Sequence, residues 1–163
     1  MTLSRLKKLI FLHLQRLPMK SRAWRPFFVK QAGVNIIDYR NTFIGENVMI
    51  DTNYPEDLTI ESGVRITYGC SILLHFLNIY TGTYDRGKIH IGKNVHVGCN
   101  TTFCKPVTIG DEAIIGACSV VTHDIPAGEV WAGNPARFIR KRPGFGDDAS
   151  TEASTTTPSQ PQP

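Results

Sequence analysis

The residue with the clearest capacity for acid–base chemistry is His75, which lies in the stretch "ILLHFLNIYTGTYDRGKIHIG" at residues 72–92. Histidine titrates near neutral pH, so its side chain can take up or release a proton under physiological conditions. A six-residue pattern runs before and after this stretch, and His75 opens the interruption. Loops carry function when a rigid scaffold positions them, but a histidine can also be an ordinary loop residue. Whether His75 is a functional residue or an ordinary loop residue therefore depends on the elements around it.

The six-residue pattern is regular between residues 91 and 121. Large apolar residues recur at every sixth position: Ile91, Val97, Phe103, Ile109, Ile115 and Val121. Mostly small or β-branched residues stand two positions earlier: Ile89, Val95, Thr101, Val107, Ala113 and Ser119. Because side chains two apart on a strand share a face, both sets are predicted to point inward. In four of the six units the next residue is glycine, which we expect to permit a sharp corner at positive φ.

The period itself dictates how the chain must run. A six-residue unit has no room for a helical crossover between parallel strands, which needs a dozen residues or more. The chain must therefore coil, with short strands separated by corners and each coil stacked on the last. This predicts a parallel β-helix. The period does not give its hand, and the general preference for right-handed crossovers would apply.

The same rhythm is present earlier in the chain in other phases. Ile44 and Ile50 are six apart, and Ile60, Ile66 and Ile72 follow at sixes. The shift between the two sets implies a four-residue insertion around "TNYPED". Residues 74–88 lack the pattern and are predicted to form a loop that projects from the coil, with pairing resuming at residue 88 or 89.

The N-terminal segment differs in charge from the rest. Residues 1–30 hold eight of the 18 basic residues and none of the 14 acidic ones. Five apolar residues before Pro18 recur at the spacing of one helix face: Leu3, Leu6, Ile10, Leu14 and Leu17. Residues 1–33 are therefore predicted to form a basic amphipathic helix and a linker. The helix either packs on the body or on a neighbouring subunit, or lies on an anionic membrane surface through residues 1–20, and both can hold at once.

The composition of the chain bears on its disorder, its location and its partners. Residues 143–163 contain one large apolar residue, Phe145, and are predicted to be disordered. No stretch is long and apolar enough to span a bilayer, and no cleavable secretory signal is visible. The four cysteines form no CxxC pair and no zinc spacing, which is typical of reduced residues in a cytoplasmic protein. The repeat region is acidic and carries no recognition motif, so nucleic acid is not an expected partner.

The sextets, the histidine-bearing loop and the ending "IIGACSVVTHDIPAGEVWAGNPARFIRKR" together resemble the hexapeptide-repeat acyltransferases over residues 34–142. The subgroup is that of the maltose and galactoside O-acetyltransferases and related polysaccharide O-acetyltransferases. The resemblance implies an all-β fold, a left-handed parallel β-helix with an N-terminal amphipathic helix and a short C-terminal element. It also implies a homotrimer, acetyl-CoA as donor, and active sites between subunits.

The resemblance assigns roles to individual positions. It makes His75 the general base, and it places Asp51 and His96 beside the acceptor. The positions that it places along coenzyme A are Cys99, Gly116, Ala117, Thr122, His123, Arg137 and Arg140. Related sequences often follow the histidine with an acidic or second polar residue, whereas Phe76 and Leu77 follow here. The group that orients the imidazole is therefore not visible in the sequence.

The expected activity is acetyl-CoA-dependent O-acetylation of a saccharide in capsule, exopolysaccharide or lipopolysaccharide synthesis, with the acceptor carried on a lipid at the inner face of the cytoplasmic membrane as one hypothesis. The residues leave open an amine acceptor and another acyl group. One alternative is a non-catalytic hexapeptide-repeat scaffold subunit. Another is a zinc enzyme resembling the β-helical carbonic anhydrases, for which His75, His90 and His96 are the candidate ligands. The primary interpretation involves no metal.

Overall fold

Two short helices precede the repeat region. The computed structural model describes residues 3–14 and 23–145, with side chains from residue 6 onward in the first range. Helix α1 is Leu3–Leu14 and helix α2 is Trp24–Gln31. They pack on each other, and the Phe11 and Phe28 rings stack with centroids 5.8 Å apart. Helix α2 occupies the segment that the sequence analysis predicted to be a linker.

The described part of the chain after α2 contains 16 short strands. In the first half these are β1 (Asn35–Ile36), β2 (Phe43–Ile44), β3 (Met49–Ile50), β4 (Leu58–Ile60), β5 (Arg65–Ile66), β6 (Ser71–Ile72), β7 (His75–Leu77) and β8 (Tyr84–Arg86). In the second half they are β9 (Ile89–Ile91), β10 (His96–Val97), β11 (Thr102–Phe103), β12 (Val107–Ile109), β13 (Ile114–Ile115), β14 (Val120–Val121), β15 (Glu129–Ala132) and β16 (Arg137–Lys141). Short 3₁₀ turns span Tyr39–Asn41 and Pro55–Asp57.

The strands form three parallel sheets that the chain visits in strict rotation. Sheet I has the order β1-β4-β9-β12, sheet II the order β2-β5-β10-β13-β15, and sheet III the order β3-β6-β11-β14. In the second half, pairing partners are three sextets apart, as in Ile91 with Ile109 and His96 with Ile114. The predicted coil of stacked parallel strands is therefore confirmed. Strand β16 adds to the edge of sheet II in antiparallel orientation.

The core lies inside the coil, where the sequence pattern places it. All twelve residues predicted to point inward between residues 89 and 121 are buried, with at most 4 % of their surface exposed. The two polar members, Thr101 and Ser119, both donate to the carbonyl oxygen of Gly116, at 3.1 Å and 2.6 Å. Burial also raises the pKa of the Cys70 thiol. The two buried hydroxyl groups thus have a partner, as a tightly packed interior requires.

The corners differ from the prediction. In the coil between residues 44 and 121, the residues with positive φ are not the glycines that directly follow an inward apolar residue but the residues three positions after it: Asn47, Gly63, Gly69, Asn94, Asn100, Glu112 and Cys118. Glycine directly after the inward apolar residue is needed for a different reason, which is space. A Cβ on Gly98 would lie 2.4 Å from the Ala117 nitrogen of the next coil. The glycines therefore permit close stacking, and asparagine, which tolerates the left-handed region, makes several of the turns.

The predicted loop at 74–88 is a β-hairpin. Strands β7 and β8 pair in antiparallel orientation, with His75 opposite Arg86. Ile60 pairs with Ile91 across this insertion, and sheet pairing resumes at Ile89, as predicted. Leu74 is fully buried in the coil, so the projecting segment begins at His75. The backbone groups of its two strands satisfy each other's hydrogen bonds.

Helix α1 does not bury the predicted stripe. Leu12 is in the core and Phe11 packs against it, whereas Leu6 and Ile10 are 39 % and 47 % exposed. The helix packs through the face next to the one that its leucine spacing indicates, because the Phe11 and Phe28 rings set the contact. Leu17 and Pro18 lie outside the described residues. None of the described helices is both long and apolar enough to cross a membrane.

At the C-terminal end, the ring of Phe145 lies directly over Gly128, where a Cβ would be 1.9 Å from a ring carbon. The predicted disordered segment therefore starts with three residues that continue from the coil. Residues 146–163 lie outside the described residues.

Candidate active site

His75 forms a pair with a buried carboxylate. Asp51 follows β3 and His75 begins β7, and the side chains are 2 % and 30 % exposed, respectively. The Asp51 Oδ2 atom makes a short contact with His75 Nδ1. The carboxylate also accepts hydrogen bonds from the backbone N–H of Leu74 at 3.2 Å and of Asn53 at 2.9 Å. Asp51 therefore supplies the orienting group that the sequence analysis could not identify.

The pair determines which nitrogen of His75 is available. An ionised carboxylate can only accept hydrogen bonds, so the proton of the neutral imidazole lies on Nδ1 and points to Asp51. The lone pair is then on Nε2, and the described residues offer this atom no hydrogen bond. A partly exposed, neutral imidazole held in this way can remove a proton from a bound hydroxyl, and the carboxylate stabilises the imidazolium that results.

Two tyrosines flank the imidazole. The Tyr84 ring lies 5.4 Å from the His75 ring, and the Tyr54 ring meets it edge-on at 6.1 Å. The Arg86 guanidinium lies 4.4 Å above the Tyr54 ring. His75 is thus held from the coil side by Tyr54 and from the hairpin by Tyr84.

Charged side chains anchor the hairpin and α1 around the pair. Arg86 donates through Nε and Nη2 to the buried Asp57, and its Nη2 lies 3.3 Å from Glu56. Glu56 also accepts from Lys8 of helix α1 at 2.7 Å. The hydrogen bond to Asp57 raises the pKa of Arg86. For Glu56, desolvation opposes ionisation, but the hydrogen bond and charge of Lys8, together with the Arg86 charge, outweigh it and lower the pKa of this carboxyl.

A cavity of about 230 Å³ opens beside the pair. It is lined by Leu12, His13, Met49, Ile50, Asp51, Thr52, Asn53, Leu73 and His75. The lining is mostly apolar, with one carboxylate and two imidazoles. The sequence analysis did not single out His13, because no repeat or motif distinguishes its position.

The other predicted acceptor residue lies elsewhere in the described chain. His96 is exposed on β10 of sheet II, where its neighbours in register are Arg65 and Ile114. His90 lies on sheet I and His75 on the hairpin, so the three candidate zinc ligands occupy different faces. Within the described ranges, no three metal-ligating side chains form a cluster.

The residues predicted to line coenzyme A divide between two sets of corners. The corners that follow the strands of one sheet stack on one another, and we call each such set a column. Cys99, Gly116 and Ala117 follow strands of sheet II, whereas Thr122 and His123 follow β14 of sheet III, the same column that carries the His75–Asp51 pair. Packing within the chain is enough to explain glycine at position 116, because a Cβ there would lie 2.8 Å from the Ala132 Cβ. One chain therefore does not bring the two groups together.

Arg137 and Arg140 are both exposed on the antiparallel strand β16. Each donates to a nearby backbone carbonyl, Ala136 O at 2.9 Å and Lys141 O at 3.4 Å. Neither has an acidic partner in the part of the chain that the structure describes. Exposed guanidinium groups without an acidic partner suit phosphate, for which they provide paired donors.

The rotation of three parallel sheets with a six-residue step defines the class of hexapeptide-repeat β-helix proteins. The family described as "Bacterial transferase hexapeptide (six repeats)" matches residues 88–123. A putative acetyltransferase of Bacillus subtilis, YvoF, is 35 % identical over 121 residues, which is 74 % of this chain and 66 % of the relative. The galactoside O-acetyltransferase of Escherichia coli is 34 % identical over 114 residues, covering 70 % of this chain and 51 % of the relative. The chain belongs to the hexapeptide-repeat acyltransferases.

A solved structure supports the fold. The galactoside acetyltransferase in complex with coenzyme A is 22 % identical, with a TM-score of 0.61 over 92 % of this chain and 88 % of that one. The curated relatives are longer: the chain spans between about half and two thirds of their length.

Proposed function

We propose that this protein is an acetyl-CoA-dependent O-acetyltransferase that transfers an acetyl group to a hydroxyl of a saccharide. The observation that carries the proposal is the His75–Asp51 pair, which presents a free imidazole Nε2 beside a cavity at the base of a projecting hairpin. Family membership supports transferase chemistry, and we infer that the coil is left-handed, as the family resemblance implies.

In the proposed mechanism, acetyl-CoA supplies the acetyl thioester. His75 Nε2 removes the proton of the acceptor hydroxyl while the oxygen attacks the thioester carbonyl. Asp51 holds the ring through Nδ1 and stabilises its positive charge. The carbon–sulfur bond breaks, and His75 returns the proton to the departing thiolate. General-base assistance of this kind contributes about a hundred- to ten-thousand-fold to rate.

The predicted coenzyme A residues favour a site shared between subunits. Arg137 and Arg140 are proposed to bind phosphate groups, and Cys99, Gly116, Ala117, Thr122 and His123 to line the thioester arm. Because these lie on two columns of corners, a second copy of the chain is needed to bring one column opposite the other. We therefore propose a homotrimer with active sites in the clefts between subunits.

The acceptor side is less constrained. A relative is named for a galactoside acceptor, and a role in capsule, exopolysaccharide or lipopolysaccharide synthesis remains a proposal. Asp51 and His96 stay predicted acceptor contacts. For Asp51, the three internal donors leave limited capacity for a further hydrogen bond. A cytoplasmic location, a lipid-linked acceptor and peripheral membrane contact through residues 1–20 also remain proposals.

The test is a mass-spectrometric screen with acetyl-CoA and a panel of saccharides that includes galactosides and maltose. We expect a product heavier by one acetyl group. His75→Ala should lower turnover at least a hundredfold while acetyl-CoA still binds. His90→Ala, on the outer face of sheet I, is the matched control and should retain activity.

Two outcomes would contradict the proposal. Binding of acetyl-CoA without turnover on any saccharide or amine would favour the non-catalytic scaffold. Undiminished turnover by His75→Ala would remove His75 from the mechanism.

A further inference from the structure

We propose that His13, at the end of helix α1, is a specificity-determining residue that binds a second hydroxyl of the acceptor. The inference rests on the proposed function and deepens it: the acceptor would be a polyol, recognised by two imidazoles in one cavity. The sequence analysis treated residues 1–33 as a packing or membrane element, so this gives the helix a further role.

The cavity beside the His75–Asp51 pair is closed on one side by α1. Leu12 and His13 line it together with Asp51 and His75. The volume of about 230 Å³ is smaller than the roughly 300 Å³ at the lower end of complete small-molecule sites. The cavity therefore suits the reacting part of an acceptor, such as one sugar ring, rather than a whole donor–acceptor pair.

The end of the helix is held in place. Leu12 is buried in the core cluster, one residue before His13. One to two turns earlier, Lys8 is 2.7 Å from Glu56, which follows the cavity-lining segment that ends at Asn53. A binding residue needs such support, because a loosely held side chain loses its affinity to ordering entropy.

The hydrogen bond of His13 determines which ring nitrogen carries the proton, as it does for His75. Its Nδ1 is 2.8 Å from the carbonyl oxygen of Leu9, and a carbonyl can only accept, so the proton of the neutral ring lies on Nδ1. The lone pair is then on Nε2, for which the described chain provides no donor. Both imidazoles of the cavity thus offer an Nε2 acceptor, and a ligand that satisfies both must donate two hydroxyl groups.

The apolar part of the lining fits the same ligand class. Leu12, Met49 and Leu73 line the cavity between and around the polar groups. A sugar ring carries hydroxyl groups at its rim and C–H groups on its faces, so it matches a lining with a few polar groups on an apolar wall. A monohydric alcohol would satisfy His75 alone.

The first experiment measures kinetics with the galactoside or maltose acceptor that the wild-type chain acetylates fastest. His13→Phe keeps a planar ring and removes the acceptor nitrogen. We expect the KM for the saccharide to rise about tenfold, as for loss of one hydrogen bond, with kcat and the KM for acetyl-CoA within twofold of wild type. His90→Phe is the control. A change in kcat alone, or an equal change with a monohydric alcohol as acceptor, would contradict the proposal.

The second experiment does not depend on turnover. The five histidines give few ring signals, which substitution can assign in NMR spectra of the full chain. Titration with the same saccharides should shift the His13 and His75 signals together and leave those of His90 in place. A saccharide that shifts His75 without His13 would overturn the inference and spare the proposed function. If no saccharide shifts either signal, the inference fails together with the saccharide assignment.

Discussion

At the scale of single residues, the central feature is that Asp51 binds and orients the imidazole of His75. The carboxylate is almost fully buried, and it is paired with the imidazole and two backbone N–H groups. A buried carboxylate is tolerated only when its lone pairs are satisfied, so these three donors explain both its burial and its fixed orientation. In the proposed mechanism, this combination makes His75 a base of fixed orientation.

The first prediction concerns Asp51→Asn. Asparagine keeps the size and can still accept from Nδ1, but it removes the charge that stabilises the imidazolium. We expect turnover to fall by about a hundred- to ten-thousandfold, because an amide neither fixes the tautomer of the ring nor stabilises its positive charge. Steady-state kinetics on the acceptor found in the screen would measure the loss.

The matched control is Asp111→Asn. This aspartate likewise accepts from a backbone N–H, that of Lys93 at 2.7 Å, but it lies on another corner and touches no histidine. Its turnover should stay near that of wild type. Equal losses in the two variants would mean that Asp51 acts on stability alone.

The Asp51–His75 pair was within reach of the sequence but was not predicted from it. Asp51 follows Ile50 and the hairpin follows Ile72, and these two isoleucines are partners in sheet III. The register of the coil thus places the two corners one above the other. The four-residue insertion around "TNYPED" lies between the two strands and separates these partners by 22 residues rather than 18, so counting in sixes alone does not show that β3 and β6 are neighbours.

At the scale of elements, the hairpin and helix α1 are tied to the coil by charge. Arg86 of β8 and Lys8 of α1 converge on Glu56 and Asp57. Partly exposed ion pairs contribute only about 0.2–1 kcal/mol each. Their value here is geometric, since they fix the two elements that flank His75.

The second prediction is the pH dependence of this network. The lowered pKa of Glu56 means that its ionised form is favoured in the folded state. Its contribution to the free energy of unfolding is therefore present above the ordinary pKa of 4.5 and is lost as pH falls through the lowered value. Urea unfolding should show wild type more stable than Glu56→Gln at pH 7, by at most about 1 kcal/mol, and equal to it at strongly acidic pH.

Asp85→Asn, on the exposed face of the same hairpin, serves as the control and should match wild type at both pH values. A stability difference between wild type and Glu56→Gln that persists in acid would show that the ion pairs are not its source.

The third prediction concerns the exposed face of α1. Leu6 and Ile10 are the exposed apolar residues of a helix without acidic side chains, and such a face suits an anionic lipid surface. Removing residues 1–20 would be a poor test, because Leu12 belongs to the core. Replacing Leu6 and Ile10 together with glutamate should instead abolish sedimentation with phosphatidylglycerol vesicles and leave transfer to a soluble saccharide unchanged.

Tyr80→Glu, at the exposed tip of the hairpin, is the control for adding negative charge. Its vesicle binding should remain. If the double variant still sediments with the vesicles, the membrane hypothesis for this helix is wrong.

At the scale of the whole molecule, the six-residue period determined more than any single motif. It predicted the strands of the second half, the twelve buried positions and the coil. It failed where the period breaks: at helix α2, at the hairpin strands, and after Val121, where Ile125 reaches sheet I four residues later instead of six. Breaks depend on contacts between distant segments, which local spacing does not encode.

The last prediction tests whether the active site is shared between subunits. His75→Ala removes the base on the sheet III column, and Ala117→Trp would block the proposed coenzyme A arm on the sheet II column. Each variant alone should be inactive. Co-expressed in equal amounts, they should recover about a quarter of wild-type turnover, because one neighbour pairing in four combines an intact His75 with an intact Ala117. Co-expression of His75→Ala with Asp51→Ala, which alter the same column, should recover nothing, because no chain then keeps both members of the pair. Absence of recovery in the first mixture, with both variants shown to assemble, would place the whole site within one chain.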